Sequence, residues 1–325
     1  MKFATQDAQA SAGWQLAQAV LLDGRRLGKG TTLSAAQAKA LGALRVQVYQ
    51  LEPEDLSEDE AAKRLQTPIF GPSLKLSDAR TGRVNALAEE AGLVIVDSQG
   101  VARFNGAGEA LTLATLPPLQ RVEAGDLVAT LKIIPFGVHR SIVEAAEPDA
   151  TLVKVQPLRP KSISLIQTKP EAVQDRTLDK ARDALSARLS ALGSTIREEH
   201  RVDHRHDAVA QALQHCRGEL IVIFPGAATQ DRRDVGPAGL VAAGGRVVHL
   251  GMPVDPGNLL FIGQFGETPV IGAPGCARSV AFNGFDWVLE RACADLFPSA
   301  RDIQGLGVGG LLKEIPSRPL PRLKA

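Results

Sequence analysis

A loop rich in small and charged residues follows a short apolar run in the second half of the chain. The run, Leu220–Phe224, predicts a buried strand of a parallel sheet that is covered on both faces. The loop begins at Pro225-Gly226, contains Thr229 and Asp234, and leads into a helix that is predicted to begin near Pro237. Ligands bind at the carboxyl ends of strands in such sheets, and the free N–H groups of a helix N-terminus attract phosphate. These residue types in this order therefore predict an anion-binding loop.

Three further loops carry similar residues at the ends of other predicted strands. Their glycines and alanines let a ligand approach the backbone closely, and their Ser, Thr and Asn side chains supply hydrogen bonds. Their aspartates can ligate a metal ion or act as a base. These loops span residues 167–177, 251–258 and 273–279. All three follow predicted strands, at the end where a parallel sheet binds its ligand.

An alternation of strands and helices positions these loops. Its spacing predicts an α/β domain, a three-layer α/β/α sandwich, over residues 159–300. The predicted strands span 162–166, 195–202, 220–224, 247–250, 259–262 and 269–272, and the predicted helices span 176–192, 207–216, 237–243 and 281–296. Residues 301–325 contain Gly and Pro clusters and are predicted to be a tail that is loosely ordered or docks as a short strand.

Strands dominate the predicted structure of the first half. They are expected at residues 46–51, 93–96, 111–116, 127–134 and 150–155. One helix is expected after Ser34, a favourable N-cap, and another over a charged segment in which Ser57 and Glu60 have the spacing of a capping box. Residues 1–158 are therefore predicted to form a β-rich α+β domain, which ends at a proline-containing linker, residues 156–160.

The composition excludes several classes of protein. The 325 residues include 37 Lys and Arg against 36 Asp and Glu, a formal charge of +1, which lacks the basic surplus of a nucleic-acid-binding protein. Aromatic residues make up only 4%, too few for a base-stacking surface. No apolar run is long enough to span a membrane. The three cysteines lack C-x-x-C spacing, which predicts reduced thiols and a cytoplasmic location.

Several loop motifs resemble those of proteins that bind molybdopterin. The segment Arg233-Asp-Val-Gly-Pro-Ala resembles the Arg-Asp-Val-Thr-Pro-Glu-Ala signature of the molybdopterin-binding (MoaB/Mog) family, and Gln174-Asp-Arg-Thr177 is similar to that family's Glu-Asp-Arg-Ser. Pro256-Gly257 and Ala273-Pro-Gly-Cys-Ala-Arg-Ser279 resemble the Pro-Gly-Lys-Pro and Leu-Pro-Gly-Asn-Pro-Val-Ser motifs of the related molybdenumtransferase (MoeA) proteins. The resemblance covers residues 160 to 300.

The resemblance implies a protein of molybdenum cofactor biosynthesis or maturation that binds molybdopterin. Adenylyl transfer or molybdate insertion is the implied chemistry, with Asp234 and Asp175 as catalytic carboxylates and Asp234 as a ligand of Mg²⁺. A homo-oligomer is also expected, because the implied fold commonly associates. The implied cofactor-binding residues are Gly226, Ala227, Ala228, Thr229, Arg233, Pro256, Gly257, Asn258, Gly275 and Ser279.

The chain departs from these motifs at positions that matter for chemistry. The Thr-Gly-Gly-Thr-Gly loop of the family is Pro225-Gly-Ala-Ala-Thr here, so Ala227 and Thr229 replace glycines and crowd a bound ligand. Asn258 replaces a Lys that could hold phosphate or molybdate. These departures favour binding over either transfer reaction. They leave open a non-catalytic carrier that delivers the cofactor to a molybdoenzyme, or a hydrolase that acts on a nucleotide derivative.

Each candidate residue also has a purely structural alternative. Asp234 and Asp175 could each stabilise the N-terminus of a helix through its dipole. Arg233 could simply solvate its loop. The histidines at positions 200, 204 and 206 lie near two aspartates, but such a run is more typical of a solvated turn than of a metal site.

Overall fold

The computed structural model describes residues 1–312, which divide into two units between Pro157 and Leu158. Helices and several sheets occur together, so the mixed α/β class that the sequence predicts is confirmed. No helix in the described part of the chain is long and apolar enough to cross a membrane. Residues 313–325, the greater part of the predicted tail, lie outside the described residues.

The first unit is built from small antiparallel sheets with short helices between the strands. Its sheet orders are β1-β5-β2, β3-β4, β10-β12-β8-β7, β11-β9-β14 and β13-β6. The strands are β1 Lys2–Asp7, β2 Gln15–Leu16, β3 Val20–Leu22, β4 Arg25–Leu27, β5 Arg45–Gln50, β6 Asp55–Ser57, β7 Leu74–Leu76, β8 Arg83–Ala88, β9 Gly92–Val96, β10 Leu111–Thr115, β11 Arg121–Val122, β12 Leu127–Ile133, β13 Gly137–His139 and β14 Val153–Pro157. The helices are α1 Ala35–Leu41, α2 Glu58–Ile69, α3 Ser98–Gly106 and α4 Arg140–Ala146.

The N-caps of this unit distinguish the helices that the sequence analysis predicts from those that it does not. Ser34 caps α1, and the predicted capping box of Ser57 and Glu60 starts α2, so both helix starts are confirmed. Helices α3 and α4 were not predicted. The carboxylate of Asp97 caps α3 by accepting the N–H of Gly100 at 2.9 Å. The side chain of Phe104, on one face of α3, is buried. An N-cap aspartate followed by periodic apolar residues was the signal available for α3.

The second unit contains one six-stranded sheet in the order β16-β15-β17-β20-β19-β18. Strands β16, β15, β17 and β20 are parallel, whereas β19 is antiparallel to both of its neighbours. The carboxyl ends of β15, β17, β18 and β20 therefore lie at one edge. The elements are β15 Ser162–Lys169, α5 Asp175–Ser190, β16 Thr195–Asp203, α6 His206–His215, β17 Leu220–Phe224, α7 Val235–Ala242, β18 Arg246–Leu250, β19 Phe261–Phe265, β20 Thr268–Gly272, α8 Gly284–Cys293 and α9 Ala300–Gln304.

Helices cover both faces of this sheet because its strands are apolar on both sides. Successive side chains of a strand point to opposite faces. Leu165 and Val222 pack with α5 and α8, whereas Ile166 and Ile221 pack with α6 and α7. Residue Ile303 of α9 is buried in the core shared with α5 and α8, so this part of the predicted tail packs on the unit.

Three elements of this unit begin two or three residues away from their predicted first residue. Strand β19 begins at Phe261 instead of residue 259, because Leu259 belongs to an exposed loop. Helix α8 begins at Gly284 instead of residue 281, because Asn283 caps it in a capping box with Asp286. Helix α7 begins two residues before Pro237, which is tolerated because first-turn N–H groups have no acceptor within the helix.

Close packing of α6 against α7 depends on Gly239. A Cβ atom on Gly239 would lie 2.6 Å from Val209 Cβ and 2.9 Å from the carbonyl oxygen of His206. We predict that Gly239→Ala lowers the free energy of unfolding by about 1–3 kcal/mol, the usual cost of overpacking. Urea denaturation checks this value. The matched control is Gly275→Ala, since no atom lies within 4 Å of the Cβ it adds. Equal stabilities of the two variants would contradict the prediction.

Candidate functional site

A cavity of about 490 Å³ opens at the edge where β17, β18 and β20 end. Its volume lies in the range of pockets that hold small molecules, roughly 300–1,000 Å³. Three loops line it, residues 225–228, 255–259 and 274–278. The side chain of Ala277, within the third loop, points into the core instead. Three separate parts of the chain thus supply one concave surface.

The first loop is held by the end of β15. The N–H of Gly226 donates to Thr168 Oγ1 at 2.6 Å, and Thr168 is fully buried. A Cβ atom on Gly226 would lie 2.1 Å from Cδ of Pro170, so only glycine fits this close approach. Thr168 Oγ1 also lies 2.7 Å from His204 Nδ1. Thr168 and Pro170 therefore contact the first loop but do not line the cavity.

The imidazole of His204 is the titratable group behind this loop. Its pKa is lowered by burial, raised by the Asp234 carboxylate, and lowered again by the Arg278 guanidinium, with burial the largest influence. The net direction is downward, so the folded protein favours the neutral ring. The Thr168 oxygen already accepts the N–H of Gly226, which leaves its O–H as the donor to His204 Nδ1. Only an unprotonated Nδ1, as in a neutral ring, can accept that O–H.

The second loop docks against the start of α8. The N–H of Gly284 donates to the carbonyl oxygen of Pro256 at 2.8 Å. Gly257 has φ of 141°, a conformation open to glycine, and a Cβ atom there would lie 2.9 Å from Gly284 Cα. Asn258 is tied to its own loop, because its carbonyl oxygen accepts the N–H of Met252 at 2.9 Å. This loop is therefore rigidly placed at the rim.

The third loop is organised by Arg188, which extends from α5. Its guanidinium donates to the carbonyl oxygens of Ala277 at 3.0 Å, Ser279 at 2.6 Å and Ala281 at 3.0 Å. Its Nε donates to Asp286 Oδ1 at 2.7 Å. The side chain of Arg188 is only 7% exposed. One buried cation thus joins α5, the loop after β20 and the first turn of α8.

Arg278 brings a positive charge to the cavity wall. Its Nη2 donates to the carbonyl oxygen of Pro225 at 2.5 Å, which joins the third loop to the first. Burial lowers the pKa of its guanidinium. The sequence reasoning did not single out Arg278, although a cation in a glycine-rich strand-end loop was the available signal. Cys276 also lines the cavity beside it.

Seven of the predicted cofactor-binding residues line the cavity, and three do not. Those that line it are Gly226, Ala227, Ala228, Pro256, Gly257, Asn258 and Gly275. Thr229 is 4% exposed and is directed into the protein. Arg233 is 90% exposed at its side chain and pairs with Asp231 at 2.6 Å. Ser279 is exposed, and its Oγ accepts the N–H of Ala281 at 3.3 Å.

Neither predicted catalytic carboxylate lines the cavity. Oδ2 of Asp234 accepts the N–H groups of Gln230 at 2.6 Å and Asp231 at 2.9 Å, so this side chain closes the turn before α7. Asp175 lies in the first turn of α5 and pairs with Lys169 at 2.7 Å. That hydrogen bond holds the pKa of Asp175 below its ordinary value. The visible interactions of both carboxylates are structural.

The donors do not fit a resident magnesium ion. Across residues 1–312, no group of three or more His, Cys, Asp or Glu side chains could hold a metal ion. Asp234, the predicted ligand, already accepts two backbone N–H bonds, and its neighbour Asp231 is paired with Arg233. Nor do His200, His204 and His206 form such a group.

Comparison with known proteins adds no family assignment. No family model and no curated protein sequence matches this chain. Among solved structures, similarity is found to the molybdopterin biosynthesis moea protein from Pyrococcus horikosii. The TM-score is 0.32 and the sequences are 12% identical, with 74% of this chain and 80% of that chain covered. Likeness at this level says nothing about the function of this chain.

Removing the guanidinium of Arg188 should be costly. Arg188→Met leaves the buried Asp286 carboxylate and three carbonyl groups without their donor, so we expect a loss of about 3–5 kcal/mol in urea denaturation. The matched control is Arg182→Met on the exposed face of the same helix, where the pair with Asp183 contributes about 0–1 kcal/mol. A loss at Arg188 no larger than that of the control would refute this role.

The lowered pKa of His204 predicts a pH dependence of stability. Between the folded pKa and the unfolded value of about 6.5, the unfolded state binds the proton and the folded state does not. The free energy of unfolding should therefore fall as the pH drops from 7.5 to 5.5, and part of that fall should disappear in His204→Gln. His206→Gln, at an exposed neighbour, should keep the wild-type slope. Identical slopes in wild type and His204→Gln would exclude the effect.

Proposed function

We propose that this protein binds molybdopterin in the cavity at the edge of the six-stranded sheet, as part of molybdenum cofactor biosynthesis or maturation. The observation that carries the proposal is the convergence of the predicted motif loops. Residues 226–228, 256–258 and 275 come from three separate segments, were each predicted as cofactor-binding from the sequence, and line one cavity.

The cavity suits a ligand that is apolar in one part and anionic in another. Its wall contains prolines, glycines and alanines, which present apolar surface and exposed backbone. Gly275 has no atom within 4 Å of the position of a Cβ, so a side chain there would enter open space that a ligand could occupy. Arg278 supplies a cation at the wall. When bound, molybdopterin would supply the dithiolene sulfur atoms that ligate molybdenum.

The chain's own residues support binding more than catalysis. Asp234 and Asp175 are engaged in a turn and a surface ion pair, and neither lines the cavity. Asn258 stands where the similar motif has Lys, and a resident magnesium ion has no fitting donor set in the described residues. The observed bonds of Asp234 close the turn before α7, and those of Asp175 join the start of α5 to Lys169.

A non-catalytic carrier that delivers the cofactor to a molybdoenzyme is the second candidate. The carrier is favoured because neither predicted catalytic carboxylate lines the cavity. Incubation with ATP, magnesium and molybdate separates the two candidates, since a carrier binds the pterin and consumes nothing. Formation of an adenylated or molybdenum-loaded product would favour the enzyme.

Filling the cavity should weaken binding without unfolding the protein. We predict that Gly275→Leu weakens molybdopterin binding at least about tenfold, equivalent to about 1.4 kcal/mol, because the added side chain occupies the ligand's space. Isothermal titration calorimetry measures the affinity, and thermal melting checks the fold. Gly305→Leu is the matched control, because Gly305 also has no atom within 4 Å of its Cβ position and lies outside the cavity wall.

Two results would count against the proposal. Wild-type protein that does not bind molybdopterin would reject the function. Equal affinities of the wild type, Gly275→Leu and Gly305→Leu would reject this cavity as the site.

A further inference from the structure

Arg278 carries a charge that is not paired with any carboxylate among the described residues. The ion pairs found among residues 1–312 do not include Arg278, whereas Arg188, Arg201 and Arg233 of the same unit all pair with carboxylates. One hydrogen bond, from Nη2 to the carbonyl oxygen of Pro225, holds the side chain. A guanidinium has five N–H donors in a planar fork. Most of these donors therefore have no acceptor in the described protein.

Partial burial makes the positive charge of this guanidinium less favourable than it would be in water. The side chain is partly buried, and desolvation is the cause that lowers its pKa. A guanidinium nevertheless remains protonated in proteins. A desolvated cation without a carboxylate is stabilised by an anion more than an exposed one is, since a partly buried pair is screened less by water and salt.

The position of Arg278 is fixed on both sides. The carbonyl oxygens of its chain neighbours Ala277 and Ser279 accept hydrogen bonds from Arg188, at 3.0 Å and 2.6 Å. Its own Nη2 bond anchors the guanidinium to Pro225, next to Gly226. The backbone and the charged group are therefore both placed before a ligand arrives, which reduces the ordering cost of binding.

We propose that Arg278 binds a tetrahedral oxyanion of the ligand in the cavity, between the loop of Gly226 and that of Gly275. The identity of the whole ligand rests on the proposed function, whereas the oxyanion site rests on Arg278 and the cavity alone. Two sources share this chemistry, a phosphate ester and molybdate. The guanidinium fork can donate two parallel N–H bonds to either.

This assignment also accounts for a departure from the similar motifs. Asn258 stands where one motif has Lys, and Arg278 stands where the other has Val. Both positions line the same cavity. The positive charge is therefore present in this chain, but it comes from the loop after β20 instead of the loop after β18. Arg278 is a binding residue in this proposal and has no role in proton transfer.

The test is a titration of ¹⁵N-labelled protein with inorganic phosphate and, separately, with sodium molybdate, followed by NMR. The wild type should show saturable shifts of the Gly226 and Gly275 amides and of the Arg278 Nε–H resonance. Arg278→Gln should bind about 10- to 100-fold more weakly, the range expected for loss of a charged hydrogen bond. Arg278→Lys should retain part of the affinity, because it keeps the charge and loses the fork.

The control is Arg246→Gln, at an exposed arginine that bonds Gln264 and lies outside the cavity wall. It should bind like the wild type. The anion with the higher affinity identifies the source of the oxyanion. An absence of shifts at these groups with both anions would overturn the proposal, as would affinities of Arg278→Gln within twofold of the wild type. The Nε–H measurement needs no variant, so the proposal stays testable if Arg278→Gln fails to fold.

Failure of this inference is distinguishable from failure of the proposed function. Arg278-dependent binding of phosphate or molybdate without any binding of molybdopterin would retain the oxyanion site and reject the function. Molybdopterin binding with the same affinity in the wild type and in Arg278→Gln would retain the function and overturn the role of Arg278.

Discussion

The buried guanidinium of Arg188 is the constraint on which the candidate site depends. It ties α5 to the carbonyl groups of Ala277, Ser279 and Ala281 after β20 and to Asp286 in the first turn of α8. Burial of a charge is costly unless the charge is paired and hydrogen-bonded, as that of Arg188 is. The loop is therefore held in a conformation in which its carbonyl groups accept the hydrogen bonds of Arg188. Gly275, Cys276 and Arg278 reach the cavity wall from that arrangement.

The sheet supplies the other half of the geometry. Because β17, β18 and β20 all end at the same edge, three loops that are distant in the sequence meet there. Glycines let those loops pack closely, as Gly226 does against Pro170 and Gly257 against Gly284. Small residues that suggest ligand contact in a sequence thus have two roles. Gly226 and Gly257 are required for packing, whereas Gly275 leaves open space.

Sequence patterns predicted the elements of the second unit well, because an apolar run or a helical period is a local signal. They also predicted the three loops, since each follows such a run. The function of individual polar side chains was not predictable in the same way. Asp234 and Asp175 match a motif, yet the partners to which they are bonded in the structure lie within a few residues of them, and neither lines the cavity. Arg188 and Asp286 are far apart in the sequence, and neither belongs to a ligand-binding motif, so nothing local indicates their pairing.

The central claim is that the cavity binds molybdopterin while the two predicted catalytic carboxylates, Asp234 and Asp175, lie outside its wall. The most direct measurement is a crystal structure of the protein with molybdopterin bound. The ligand should lie between residues 225–228, 255–259 and 274–278, with its phosphate beside Arg278 and with the turn of Asp234 unchanged. A ligand bound away from these loops, or one whose phosphate or sulfur atoms contact Asp234 or Asp175, would contradict the claim.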